Sequence, residues 1–131
     1  MSLTNVRPTL IDDVVLFEDP IARDSVPFKN NSGSTGHWTV GRTLVLSGNY
    51  YVPAVVASAD CVLLTNTDSL ANNGTQQVAV IGLRGLCELN VDAITYGDGG
   101  TAYDADANAQ VNELASQGCK MVQGPDISAV G

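Results

Sequence analysis

The sequence predicts a mainly β protein: a small sandwich- or barrel-like domain with one short α-helix, preceded by an extended N-terminal arm. Three observations carry this. Short aliphatic runs recur from Thr43 onward, separated by Gly-, Asn- and Pro-containing turns at the spacing of all-β domains. Of 131 residues 44% are hydrophobic, yet only two are Phe and one is Trp, so the core is built from Val, Leu, Ile and Ala, with the branched residues favouring pleated sheet. Pro8, Pro20 and Pro27 punctuate the first 38 residues at intervals too short for a helix, and each removes a backbone donor that a central strand uses.

Residues 1–38 therefore read as arm and linker, with an ordinary ordered N-terminal strand followed by a loop as the alternative. Their one apolar run, Val14-Val15-Leu16-Phe17, is flanked by Asp12, Asp13, Glu18 and Asp19, and Asn30 to Gly36 reads as a flexible loop. Leu10 to Phe17 offers backbone donors and alternating side chains suited to adding a strand to another protein's sheet. Spaced prolines guard such a segment against edge-to-edge aggregation.

The domain proper spans residues 39–123. Thr43 to Leu46 forms its first strand and ends at a Ser47-Gly48-Asn49 turn; Tyr50 to Val52 follows, limited by Pro53 to an edge or a strand end. Cys61 to Thr65 is next, and Asn72-Asn73-Gly74 is a tight-turn signal feeding a strand from Gln77 to Leu83. After an Arg84-Gly85 corner, Cys87, Leu89 and Val91 alternate with Glu88, Asn90 and Asp92, which places one face on a core and the other in water. A helix precedes the last strand, Gly118 to Val122. Asp104 or Asp106 caps it, Val111, Leu114 and Ala115 form its apolar stripe, and Gly118 ends it. At this length it must pack on the strands to be stable. Residues 124–131 form a tail.

Fourteen carboxylates against six Lys and Arg give a net charge of -8, which repels phosphate and anionic headgroups and argues against nucleic-acid or membrane binding. No apolar run approaches the roughly 20 residues of a membrane span, and no signal-peptide pattern opens the chain, so synthesis in a cytosol is expected. Cys61, Cys87 and Cys119 each sit in or beside an apolar run and read as buried free thiols. With a lone His37 and no Cys-x-x-Cys, zinc has no ligand pattern, and nothing joins His37 to Ser34, Cys61 or Cys87 as a nucleophile and base. Asp104, Asp106 and Asn108 imitate the start of a calcium loop, but Ala109 and Ala115 stand where its Gly and closing Glu belong. Gly82 and Gly85 lack the spacing of a phosphate loop. Neither metal, cofactor nor enzyme activity is expected.

Several segments, taken in order, resemble the head decoration proteins of tailed bacteriophages, the lambda decoration-protein group. They are Gly41-Arg42-Thr43-Leu44-Val45, Gly48-Asn49-Tyr50-Tyr51-Val52-Pro53, Cys61-Val62-Leu63-Leu64 before a polar turn, Val78 to Gly85, and the short helix closed by Gly118. Cys61-Val62 departs from the Gly-Ile-Leu run common there, and the long arm carries its own apolar run. The resemblance implies a β-tulip-type domain, a homotrimer with a dimer as the alternative, and a non-enzymatic role. That role is to bind the outer surface of the expanded head and clamp major capsid protein subunits. It also implies that Leu10, Val14, Val15, Leu16 and Phe17 of the arm bind the capsid. Trp38 and Arg84 are candidates for an oligomer or capsid interface, with an ion pair inside its own subunit as the alternative for Arg84. A different class remains open: a small β-barrel carbohydrate-binding or adaptor module whose contact patch is Trp38, Tyr50 and Tyr51.

Overall fold

The computed structural model describes residues 10–55, 58–97 and 105–122. Its longest pairing joins Arg23–Lys29 (β2) to Thr75–Ile81 (β6), antiparallel and in register from Arg23 with Ile81 to Lys29 with Thr75. Thr43–Ser47 (β3), Tyr50–Pro53 (β4) and Cys61–Leu63 (β5) complete a closed barrel in the order β2-β4-β3-β5-β6. Closure leaves these five strands without a free edge. Val26 and Phe28 from β2 meet Leu44, Cys61, Leu63, Val78 and Val80 in one buried cluster.

Beside the barrel lies a three-stranded sheet. Val15–Glu18 (β1) pairs antiparallel with the central Cys87–Asn90 (β7), and Lys120–Val122 (β8) pairs parallel with β7 on its other side. Val14, at the end of the single helical turn Ile11–Val14 (α1), packs with Cys87 and Leu89 in a second buried cluster. Ile81 and Val62 from the barrel join that cluster, as do Tyr96 and Leu114. The two layers thus share one wall.

The helix Ala105–Ser116 (α2) docks through Leu114, which is fully buried, and Gln110. Gln110 accepts from the Thr43 hydroxyl at 3.0 Å and from the Gly97 amide at 3.3 Å, so a polar bond inside the core fixes the helix against the barrel. Gly118, at φ 99°, follows the helix as predicted, because a left-handed residue there costs glycine little. Ala115 is exposed, so the stripe runs through Gln110, Val111 and Leu114 instead. Asp104 and the Asp106 side chain lie outside the described residues.

The mainly β fold with a barrel and one longer helix is as predicted; the arm boundary at residue 38 is not. Residues 10–29 belong to the domain, since β1 lines the small sheet and β2 is a barrel strand with Phe28 fully buried. Pro27 is compatible with this position. The Asn30 amide donates to the Gly74 carbonyl, so Phe28 and Asn30 direct their polar groups to β6. Pro27 faces the other way, toward β4, where a single Phe28–Tyr51 bridge forms the pairing. The loop after β2 is also held. Asn30 is buried, its Nδ2 donating to the carbonyls of Ser34, Leu70 and Ala71 at 2.8, 2.9 and 3.2 Å. Asn90 departs from its expected wet position as well. It is buried, donates to the Asp13 carbonyl and accepts from the Asp92 amide, which opens a 3-10 turn at Val91–Ala93.

Candidate functional site

The register of β1 on β7 slips by one residue. Val15 sits opposite Leu89, but Phe17, two residues on, sits opposite Glu88. In a regular strand Val15 and Phe17 would share a face. The bulge at Leu16 breaks that alternation, so Val15 is half-buried against the core while Phe17 is turned out beside Glu88 and is 65% exposed. Leu16 is exposed too.

The turn after β1 extends this apolar face. The Asp19 amide donates to the Leu86 carbonyl, and Asp19 Oδ1 accepts from the Ile21 amide, which shapes the chain through Pro20. Arg23 closes the turn with three bonds to Glu18 between 2.6 and 3.1 Å, an ion pair that raises the Arg23 pKa. Ile21 at the turn tip is 60% exposed and Leu86 is 45% exposed. Beside them, β1 has no partner on its outer side among the described residues, so its backbone is free to pair. Leu10, also exposed, lies near this region with Ile11, Asp12, Arg23, Val40, Leu64 and Asn66 around an open cleft of about 470 Å³.

The five residues read from the sequence as a docking run therefore divide. Leu10, Leu16 and Phe17 are exposed, whereas Val14 is wholly buried and Val15 packs inward. Val14 holds the domain together and is unable to contact a partner. Ile21 and Leu86 were missed. The signal for Ile21 was an apolar residue after Pro in a turn; Leu86, at φ 56°, carried no local signal.

Arg84 is committed within its own subunit, bonding Asp24 at 3.0 and 3.2 Å. Trp38 is half-buried, its ring centroid 5.3 Å from that of Phe28. Tyr50 and Tyr51 are successive strand residues and so face opposite ways; the Tyr50 ring lies under Lys29 at 5.5 Å, and Tyr51 packs on the barrel core. Trp38, Tyr50 and Tyr51 thus make no single aromatic platform. His37 is exposed, and among the described residues no group of His, Cys, Asp and Glu is placed to hold a metal ion. Cys61, Cys87 and Cys119 are buried free thiols, and burial pushes the Cys61 pKa up, which favours the inert thiol.

Comparison of the chain with protein-family models, with curated proteins and with solved structures found no match.

Proposed function

We propose that this chain is a capsid decoration protein that docks on the outer surface of an expanded phage head and clamps neighbouring major capsid protein subunits. The observation that carries the reading is the bulge in β1, which among the described residues sets Leu16 and Phe17 outward at an unpaired edge of the three-stranded sheet that packs beside the closed barrel. Such an edge pairs by main-chain bonds while its side chains enter apolar sites on the partner. Burying the exposed parts of Phe17 (65%) and Leu16 (37%) contributes about 1–2 kcal/mol and about 0.5–1 kcal/mol before ordering costs. One copy therefore binds weakly. Three copies in a homotrimer raise apparent affinity by roughly a hundred- to ten-thousandfold where geometry allows joint engagement. The net charge of -8 suits the outside of the shell, away from packaged DNA.

The test mixes the purified protein with expanded shells lacking decoration, pellets the shells and counts bound copies per capsid subunit. Saturable binding that raises the shells' disruption temperature supports the reading. Phe17→Asp and Leu16→Asp should weaken binding at least tenfold while the free protein melts normally. Truncation to residue 20 is the wrong variant, because it removes the buried Val14. Absence of binding to the cognate shell, or full binding by both Asp variants, would refute the proposal.

A further inference from the structure

Arg42 stands apart from the other cations among the described residues. Among the described residues Arg23 pairs with Glu18, Arg84 with Asp24 and Lys120 with Glu88, while Lys29 lies over Tyr50. Arg42 has no carboxylate of a described residue within ion-pair reach, and its one side-chain hydrogen bond among them runs from Nη2 to the Ala54 carbonyl at 2.8 Å. Its Nε is closed to solvent and has no acceptor among the described residues. Burial accordingly lowers the Arg42 pKa from its ordinary value. In a chain with a net charge of -8, a partly desolvated guanidinium without a counter-charge among the described residues is an uncompensated cost. A ligand in an open cleft cannot reach the closed Nε, but a counter-charge at the terminal nitrogens would offset the cost of the guanidinium as a whole.

The surroundings supply a place for that ligand. Arg42 lines an open cleft of about 420 Å³ together with Trp38, Pro53, Val55, Asn31 and Ser32. Its backbone is fixed, since its carbonyl accepts from the Leu63 amide at 2.9 Å and it bridges to Thr95. The carbonyl that orients Nη2 is fixed as well. Gly97, also on the cleft wall, packs so closely on Ala54 that an added Cβ would collide with that carbonyl oxygen. Trp38 and Val55 offer apolar wall, and Asn31 and Ser32 offer polar groups at the rim. Arg42 is also separate from the docking face, being neither on β1 nor at the Ile21 turn.

We propose that this cleft binds a carboxylate group, its planar oxygens received by the terminal nitrogens of Arg42 and the group that carries it resting against Trp38 and Val55. A guanidinium matches a carboxylate in shape and charge, and a single cation suits a monoanion better than a phosphate in a field this acidic. Two sources share that chemistry: an acidic side chain of a polypeptide and an acidic sugar. The site is independent of shell docking, and each can fail without the other.

The chain has one Trp, so fluorescence reports on Trp38 alone. The experiment titrates the full chain, at constant ionic strength, with N-acetylglutamate and glucuronate, and with their neutral counterparts N-acetylglutamine and glucose. Saturable changes at millimolar carboxylate, at least tenfold weaker responses to the neutral compounds, and at least a tenfold loss in Arg42→Gln are expected. Tighter glucuronate binding identifies an acidic sugar; tighter N-acetylglutamate binding identifies a polypeptide side chain. If Arg42→Gln does not fold, Arg42→Lys decides, because it keeps the charge and loses the fork, and should bind severalfold more weakly. No saturable response to either carboxylate, or undiminished binding in the variants, overturns the proposal.

Discussion

Phe28→Ala tests whether β2 is structural. The side chain is fully buried, in contact with the barrel cluster and 5.3 Å from Trp38 between ring centroids. Deleting a buried phenyl ring removes its transfer energy and leaves a cavity, together about 3–5 kcal/mol. Against a typical domain stability of about 5–15 kcal/mol that is a large fraction. For a chain of this size it corresponds to a fall in melting temperature of about 10–20 °C. The control is Phe17→Ala, where 65% of the residue is already in water and the expected change is within about 0.5 kcal/mol. Urea and thermal unfolding followed by circular dichroism and Trp38 fluorescence measure both. A melting temperature for Phe28→Ala within 2 °C of the parent (roughly the smallest shift that matters on this scale) would refute the placement of residues 23–29 in the barrel. Equal losses in the two variants would refute the outward turn of Phe17.

Gly97→Ala should destabilise by about 1–3 kcal/mol or more, because its Cβ would overlap the Ala54 carbonyl oxygen, and overpacking of this kind forces the backbone apart. Gly33→Ala is the contrast: nothing lies within 4 Å of the added carbon, and only its φ of 92° is unfavourable, for about 1–2 kcal/mol. Urea midpoints of the two variants check the difference; a Gly97→Ala protein as stable as its parent would contradict the packing. Alkaline pH should also weaken the fold. Burial pushes the pKa of Cys61 and of Tyr96 above their ordinary values of 9.0 and 10.0, with Asp60 and Asp92 adding to it. Over that range the unfolded chain releases protons that the folded chain keeps, so this stability is complete below about pH 8 and is lost as pH rises through and above the unfolded values. Urea midpoints should fall between about pH 8.5 and 10.5, and a flat profile would count against the neutral burial of these groups.

Much of the barrel is legible in local sequence. Leu44, Val62, Leu63, Val78 and Val80 sit in apolar runs bounded by Gly, Asn and Pro, which neighbouring residues suffice to recognise, and Val78 and Val80 add alternation. The same holds for Gly118 after the helix and for the three buried thiols. What the sequence by itself determined, then, was the class of fold, the position of most strands and the acidic exterior.

Tertiary structure alone decided which strands meet. Pro27 made β2 resemble an arm, and only pairing along β6 shows that its missing donor points away from that partner. The split of Val14 from Leu16 and Phe17 depends on one inserted residue in the register against β7, which no run of side chains encodes. Arg42 resembles any other surface cation until Gly97 packs on Ala54, whose carbonyl accepts from its Nη2, and its charge is left without a partner among the described residues. Local periodicity reports which residues seek burial, whereas register, bulges and charge pairing depend on residues distant in the chain.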